Sequence, residues 1–452
     1  MRWGVHEVSA GVVTRPAAGR VGRRSRTPVE RVRWRDRASV FTGRSTPDRL
    51  RRVGAVLVLG CIAAAVVSVV SGIDRADAVR AADTRLTALT TGAAGLYQNL
   101  ADADASATSG YVGRHEPAPL RARYDENIGD AGQRLVRAAT LLSDFDSAVG
   151  PVTRLTRDLP VYTGLMETAR TLNRQGLPLG QSYLTRASRL MQSTMLPAAA
   201  ELRTIETDRL TDAYRQGSAA PLAVLVLGLG LLAAVIDLAV GERARTNRVL
   251  SPGLVGCAVA VLAALSWWAL AWVFASSALA DAGRHTAAVT ALDDARTTVL
   301  QARSNESLVL VARGGGGGDT FDRLIEDVIG PDGQGGLLAG AQAQGAAVAE
   351  ARAAAMGWQE AHRQVRDLDG SGRFGEAVEA VIGPDPAGSG ARFTVLDGEL
   401  AEAIGAEREA QNAAIDRAGA AQTELVVAPA VLFVLAGVAA AVGVGRRVGE
   451  YR

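Results

Sequence analysis

The chain of 452 residues has no lysine; all 49 of its basic residues are arginine. A phosphate loop closes on a Lys-Ser/Thr pair at a helix start, so the five-glycine run Gly314–Gly318, followed by Asp319, is a flexible link. Histidine is scarce, and His6, His115, His285 and His362 are scattered. The two cysteines, Cys61 and Cys257, both lie in apolar runs, so no His/Cys spacing offers a metal site and no disulfide can brace the polar parts. No nucleophile motif of the GxSxG type occurs. Aromatics are only 4%. These gaps point away from an enzyme. No cofactor, metal ion or nucleic-acid partner is expected.

What is present is apolar length. Four runs reach the roughly 20 residues a helix needs to cross a bilayer: 53–72, 220–240, 254–276 and 425–445. Val58–Cys61 faintly resembles a lipoprotein cleavage site, but the apolar run continues past it to Val70. Arginine sets the orientation. Residues 1–52, the loop 241–253 and the tail 446–452 together hold 20 Arg and six acids, against 29 Arg and 41 acids elsewhere. This predicts a cell-membrane protein with cytoplasmic termini and two acidic extracytoplasmic segments, 73–219 and 277–424.

Each of these segments reads as a helical bundle, so the fold class is an all-α membrane protein with two extracytoplasmic helical-bundle domains. Heptad-like apolar spacing places helices near 73–111, 117–144, 152–174 and 182–216, separated by Gly and Pro. The order span, bundle, span then repeats, with Val53 and Leu254 opening corresponding spans, which suggests a tandem duplication. Leu96-Tyr97-Gln98 echoes Val299-Leu300-Gln301, and a polar patch follows each glutamine: Asp102 and Asp104 in one, Arg303, Asn305 and Glu306 in the other. The second segment carries its own repeat, FDRLIEDVIGPD at 321–332 and FGEAVEAVIGPD at 374–385. Each copy reads as a short helix closed by a left-handed Gly and a blocking Pro.

Asp102 and Asp104 point about 200° apart on a helix, so they form no carboxylate pair. Either can face solvent, or one can sit in the alanine-rich seam and meet Arg123 or Arg134. Arg303 and Glu306 are spaced to pair on their own helix, a contribution of a few tenths of a kcal/mol at a surface. Asp102, Asp104, Arg303, Glu306 and Arg313 are the candidate ligand or partner contacts. In the Arg-rich N-terminal tail, Arg31, Arg33, Arg35 and Arg37 are candidates for membrane-lipid contact or for docking a cytoplasmic protein. A gene start placed too early is the third reading of this tail. Trp267, Trp268 and Trp272 read as interfacial anchors. Gly437, Ala441 and Gly445 read as a face for close helix packing.

The four spans, the two helical segments, LADADASATSGYVG (100–113), ARSNESLVLVARG (302–314) and the IGPD turns resemble the GlnX-type membrane proteins of actinobacteria over roughly residues 45–452. The resemblance implies a non-enzymatic signal relay. It would link an amino-acid-binding lipoprotein outside the cell to a soluble Ser/Thr protein kinase inside, reporting aspartate or glutamate. Two alternatives stay open: a direct small-ligand receptor of the four-helix-bundle sensor type, and a transport or envelope-assembly component.

Overall fold

In the helices Thr46–Ala81, Pro252–Val311 and Ser389–Gly449 an apolar run and a polar amphipathic one lie on the same helix. The computed structural model describes residues 46–81, 86–113, 116–141, 147–218, 222–246, 252–312 and 318–449. Among these residues there are thirteen α-helices, one π-helical turn and no strand. The first half contains α1 (Thr46–Ala81), α2 (Thr87–Val112), α3 (Ala118–Leu141), α4 (Val149–Arg174), α5 (Leu179–Leu190), α6 (Leu196–Ser218) and α7 (Leu222–Thr246). The second contains α8 (Pro252–Val311), α9 (Gly318–Ile329), α10 (Gly336–Ala343), α11 (Ala349–Gly370), α12 (Phe374–Ile382) and α13 (Ser389–Gly449). The fold is all-α. The expected helices 117–144 and 152–174 correspond to α3 and α4, with Pro151 tolerated in the first turn of α4.

The helix expected over 73–111 is represented by the end of α1 and by α2, with 82–85 outside the described residues. The one expected over 182–216 is interrupted by a π-helical turn, Met191–Met195, between α5 and α6. Pro197 lies just beyond that turn. It has no N–H to continue the ladder, and a widened turn upstream absorbs the mismatch. The two IGPD turns also differ. Gly330 is left-handed (φ 77°), as its cap role predicts, whereas Gly383 is extended (φ −79°, ψ 171°).

Four helices are long and apolar enough to cross a membrane: α1, α7, the first part of α8 and the last part of α13. Leu57, Cys61, Leu231, Val261, Trp268 and Phe433 fill their common core. Val56, Leu59, Leu229, Val259 and Val431 point outward, exposed. A bundle apolar both inside and out is suited to lipid rather than water. Trp268 belongs to the core rather than to an interfacial belt. It stacks on Trp272, whose indole N–H donates to the carbonyl of Ser218 at 3.2 Å. Gly437 packs on Cys61, but Ala441 and Gly445 are exposed.

The tightest crossing is elsewhere, where α8 meets α13. A Cβ on Gly253 would lie 2.3 Å from the Cα of Gly443, and backbone cannot yield as a side chain can. Gly253→Val is therefore expected to separate the two helices and cost roughly 1–3 kcal/mol, the usual range for overpacking. Gly445→Ala, with nothing within 4 Å, is the control that leaves the unfolding midpoint in detergent unchanged.

Beyond the apolar bundle, the two halves share one continuous core. Leu96, Leu100, Tyr162 and Met191 from the first half join Leu292, Leu300, Phe321, Trp358 and Leu400 from the second. The sequence reading gave each segment a bundle of its own. The reason for the merger lies in α2: its inner face is mostly alanine and serine, too small to fill a core alone and small enough for α8 to approach closely. A neck of Leu210, Leu279, Ala282 and Ile415 connects this head to the apolar bundle.

Candidate functional site

The segment LADADASATSGYV is almost wholly buried, from Leu100 through Tyr111 with Asp102 half-buried. It lies beside α8, and the two helices run in the same direction. Gln98 donates to Asp293 (2.5 Å), Ser304 to Asp104 (2.8 Å), and the hydroxyls of Ser109 and Ser307 pair at 3.0 Å. The two segments that echo one another in sequence are thus neighbours in space.

Asp104 faces this seam, only 2% exposed. Ser188 and Ser304 donate to its carboxylate at 2.8 Å, Tyr162 at 3.3 Å and Gln192 at 3.5 Å. Gln192 comes from the π-helical turn, so that irregularity supplies a donor to the seam. Among the described residues no cation pairs with Asp104. Burial pushes its carboxyl up from the ordinary range, and the four hydrogen bonds only partly offset that.

Asp102 points the other way, as the helical spacing predicts, and meets Arg123 rather than Arg134. Arg123 Nε donates to both Asp102 oxygens (2.8 and 2.9 Å), and its NH2 reaches across the halves to Asp397 on α13 (2.7 Å). Arg296 on α8 takes the other side of Asp397, with Nε at 2.6 Å. Burial raises the Asp397 carboxyl, but Arg296 and Arg123 outweigh it and hold the group below its usual range. This charged chain ties α2, α3, α8 and α13 together.

Arg303 and Glu306 do pair, at 2.6 Å, but deep in the head instead of at a surface: Glu306 is 1% exposed and Arg303 4%. The other NH2 of Arg303 donates to the carbonyl of Val381 at the end of α12 (2.7 Å). The second oxygen of Glu306 accepts from Ser389 (2.5 Å) and lies 2.9 Å from Nδ1 of His362. Trp358 donates to Ser389 at 2.8 Å, and Phe321 stacks on His362 with centroids 3.5 Å apart. Burial works against the Glu306 charge, yet His362, Arg303 and Ser389 together hold its carboxyl below the ordinary range.

Between these two charged groups lies a cleft of about 270 Å³. Its walls come from both halves: Asp102, Ser106, Ser109, Pro119 and Arg123 on one side, and Arg303, Val381–Pro384, Phe393 and Thr394 on the other. The floor is buried, while Pro119, Pro384 and Thr394 at the mouth are exposed.

Of the residues singled out in the sequence, Asp102 and Arg303 line this one cleft, and Glu306 supports Arg303 from behind. Asp104 is turned away, into the α2–α8 seam. Arg313, Arg31, Arg33, Arg35 and Arg37 lie outside the described residues. Sequence reasoning missed Asp397, Arg296, His362, Ser389 and Trp358. Trp358 and His362 are four residues apart on α11 and share a face, a spacing that could have flagged them together. Nothing local marks Ser389 or Asp397. Among the described residues no group of three His, Cys, Asp or Glu side chains could hold a metal ion.

The architecture fits a multi-pass membrane protein with a helical head. Residues 78–215 match the family model of an actinobacterial sensor domain, a span running from the end of α1 almost to the end of α6. The match points to a sensing or signalling role. It covers less than half of the chain and leaves out α8, α12 and α13, which build the other wall of the cleft. No curated protein and no solved structure matches the chain.

Proposed function

We propose that the protein is a non-enzymatic transmembrane signal relay whose head is extracytoplasmic and whose termini are cytoplasmic, as the arginine distribution favours. One observation carries the reading: two helices that hold buried charges of the head, α8 and α13, also form spans. Asp293, Arg296, Arg303 and Glu306 sit on the 60-residue α8, and Asp397 on the 61-residue α13. From Ser304 to Ser276 on α8 the helix rises roughly 40 Å, and the neck keeps α6, α8 and α13 in contact on the way. A small shift of α8 against α13 at the charged chain therefore reappears at the membrane, as in helix-shift signalling. The polar groups are also spent on one another: His362 and Ser389 both engage Glu306 rather than forming a nucleophile–base pair.

Following the resemblance to GlnX-type proteins, the head receives an amino-acid-loaded solute-binding lipoprotein and the cytoplasmic side docks a Ser/Thr protein kinase. Arg31, Arg33, Arg35 and Arg37 contribute lipid or partner contact. Crosslinked protein purified from membranes is expected to carry both partners, and removal of residues 1–45 to release the kinase. A well-crosslinked sample with neither partner would sink the two-partner relay. A second reading, direct reception of a small ligand by the head, is favoured by the cleft.

A further inference from the structure

We infer that the cleft between the halves of the head is a binding site for a small monocarboxylate with an apolar body. The inference rests on the reading of the head as a sensor and names what the sensor takes. Size comes first. At about 270 Å³ the cleft falls just below the roughly 300–1,000 Å³ of drug-sized sites, so a metabolite of few heavy atoms fits and a peptide does not.

The donors come next. A guanidinium carries five N–H bonds. Arg303, 4% exposed, uses NH1 on Glu306 and NH2 on the Val381 carbonyl. Arg123 uses Nε on Asp102 and NH2 on Asp397. Among the described residues nothing accepts from NH1 of Arg123 or Nε of Arg303. Two arginines, each oriented by its own carboxylate and each with donors to spare, face one cleft. A carboxylate is the planar acceptor that suits them.

The rest of the lining sets the body of the ligand. Leu120, Val381, Ile382, Phe393 and the prolines are apolar. Phe393 already lies under the Arg303 guanidinium, 5.4 Å from its ring centroid, so an apolar group seated there extends an existing stack. Asp102 lines the same cleft and meets any second negative charge on the ligand unfavourably, which selects against dicarboxylates. Because the walls belong to α2–α3 on one side and α8, α12 and α13 on the other, an occupant bridges the two halves of the head and touches both helices whose relative shift the relay transmits.

The test is calorimetric titration of the full-length protein in nanodiscs with isovalerate, its uncharged amide isovaleramide, and succinate. Saturable binding of isovalerate is expected, at least about tenfold tighter than either comparator. Arg123→Gln should abolish that preference. Should Arg123→Gln fail to fold, Ala391→Trp, which fills the cleft and removes no charge, is expected to abolish binding while the thermal midpoint is retained. Absence of saturable isovalerate binding overturns the site. Equal binding of acid and amide, or binding that survives Ala391→Trp in a folded protein, does so as well. Engineered cysteine crosslinks between α8 and α13 in the apolar bundle separate the two ideas. Isovalerate binding that leaves the crosslinking rates unchanged retains the site and overturns the relay. A rate change on loading with a lipoprotein, without isovalerate binding, retains the relay and overturns the site.

Discussion

Replacing Glu306 by alanine destabilises the protein by about 3–5 kcal/mol, the cost of leaving a buried charge without its partner. The carboxylate is fully enclosed and accepts from Arg303, Ser389 and His362. Once it is gone, Arg303 keeps only the Val381 carbonyl, and its guanidinium, 4% exposed, has lost its counter-charge. The loss reads out as a lower thermal midpoint of the purified full-length protein. A companion variant shows whether the charge or the packing is responsible. With Arg303→Met added to Glu306→Leu, no orphaned charge remains, and most of the lost stability should return. If the double variant is as unstable as Glu306→Ala, the pair is not what holds this part of the head. The pH dependence has a definite sign. A carboxyl held below its unfolded value, about 4.3 for Glu, contributes stability above that pH and loses it as pH falls through the folded value.

Legibility varied with the range of the interaction. The four apolar runs and the all-α character follow from composition and period. The opposition of Asp102 and Asp104 follows from the 100° step of a helix, and the structure separates them accordingly: one reaches the cleft, the other the seam. The pairing of Arg303 with Glu306 was legible from their spacing, whereas Arg123 was only one of two arginines offered to either aspartate. The depth of the Arg303–Glu306 pair was not, because spacing carries no information about what covers a helix face. Asp397 illustrates the same limit from the other end. It stands 274 positions from Arg123, and only the docking of the two halves brings them together. The separate bundles expected from the segment boundaries became one core because alanine on α2 leaves room that α8 fills, a consequence of volume that an apolar pattern does not encode.

Asp104 gives the second large effect, and with the opposite dependence on pH. Asp104→Ala is expected to cost about 3 kcal/mol, since Ser188, Ser304, Tyr162 and Gln192 lose a common acceptor inside the core and each orphaned donor costs about 1–3 kcal/mol before the hydroxyls rotate to new partners. Asp104→Asn keeps the shape and one acceptor. The serine and tyrosine hydroxyls can turn to accept from its amide, so near pH 4, where the folded parent holds a proton at this site, its stability should lie within about 1 kcal/mol of the parent. The two proteins then diverge with pH. The folded-state pKa of Asp104 is raised by burial above its unfolded value of about 3.9. Between those two values the folded protein binds more proton than the unfolded chain, so the parent loses stability as pH rises through the window. Asparagine does not titrate. The stability of Asp104→Asn relative to the parent should therefore climb from about pH 4 upward and level off once the folded carboxyl is ionised. Unfolding midpoints of both proteins, measured from pH 4 to pH 9, give this difference directly, and groups common to both cancel. A difference that stays flat would mean Asp104 ionises as easily folded as unfolded, and the dry, cation-free seam described here would be wrong. A difference that climbs identifies the α2–α8 seam as the place where the head carries an unfavourable buried charge, on the same helix that supplies Asp102 to the cleft.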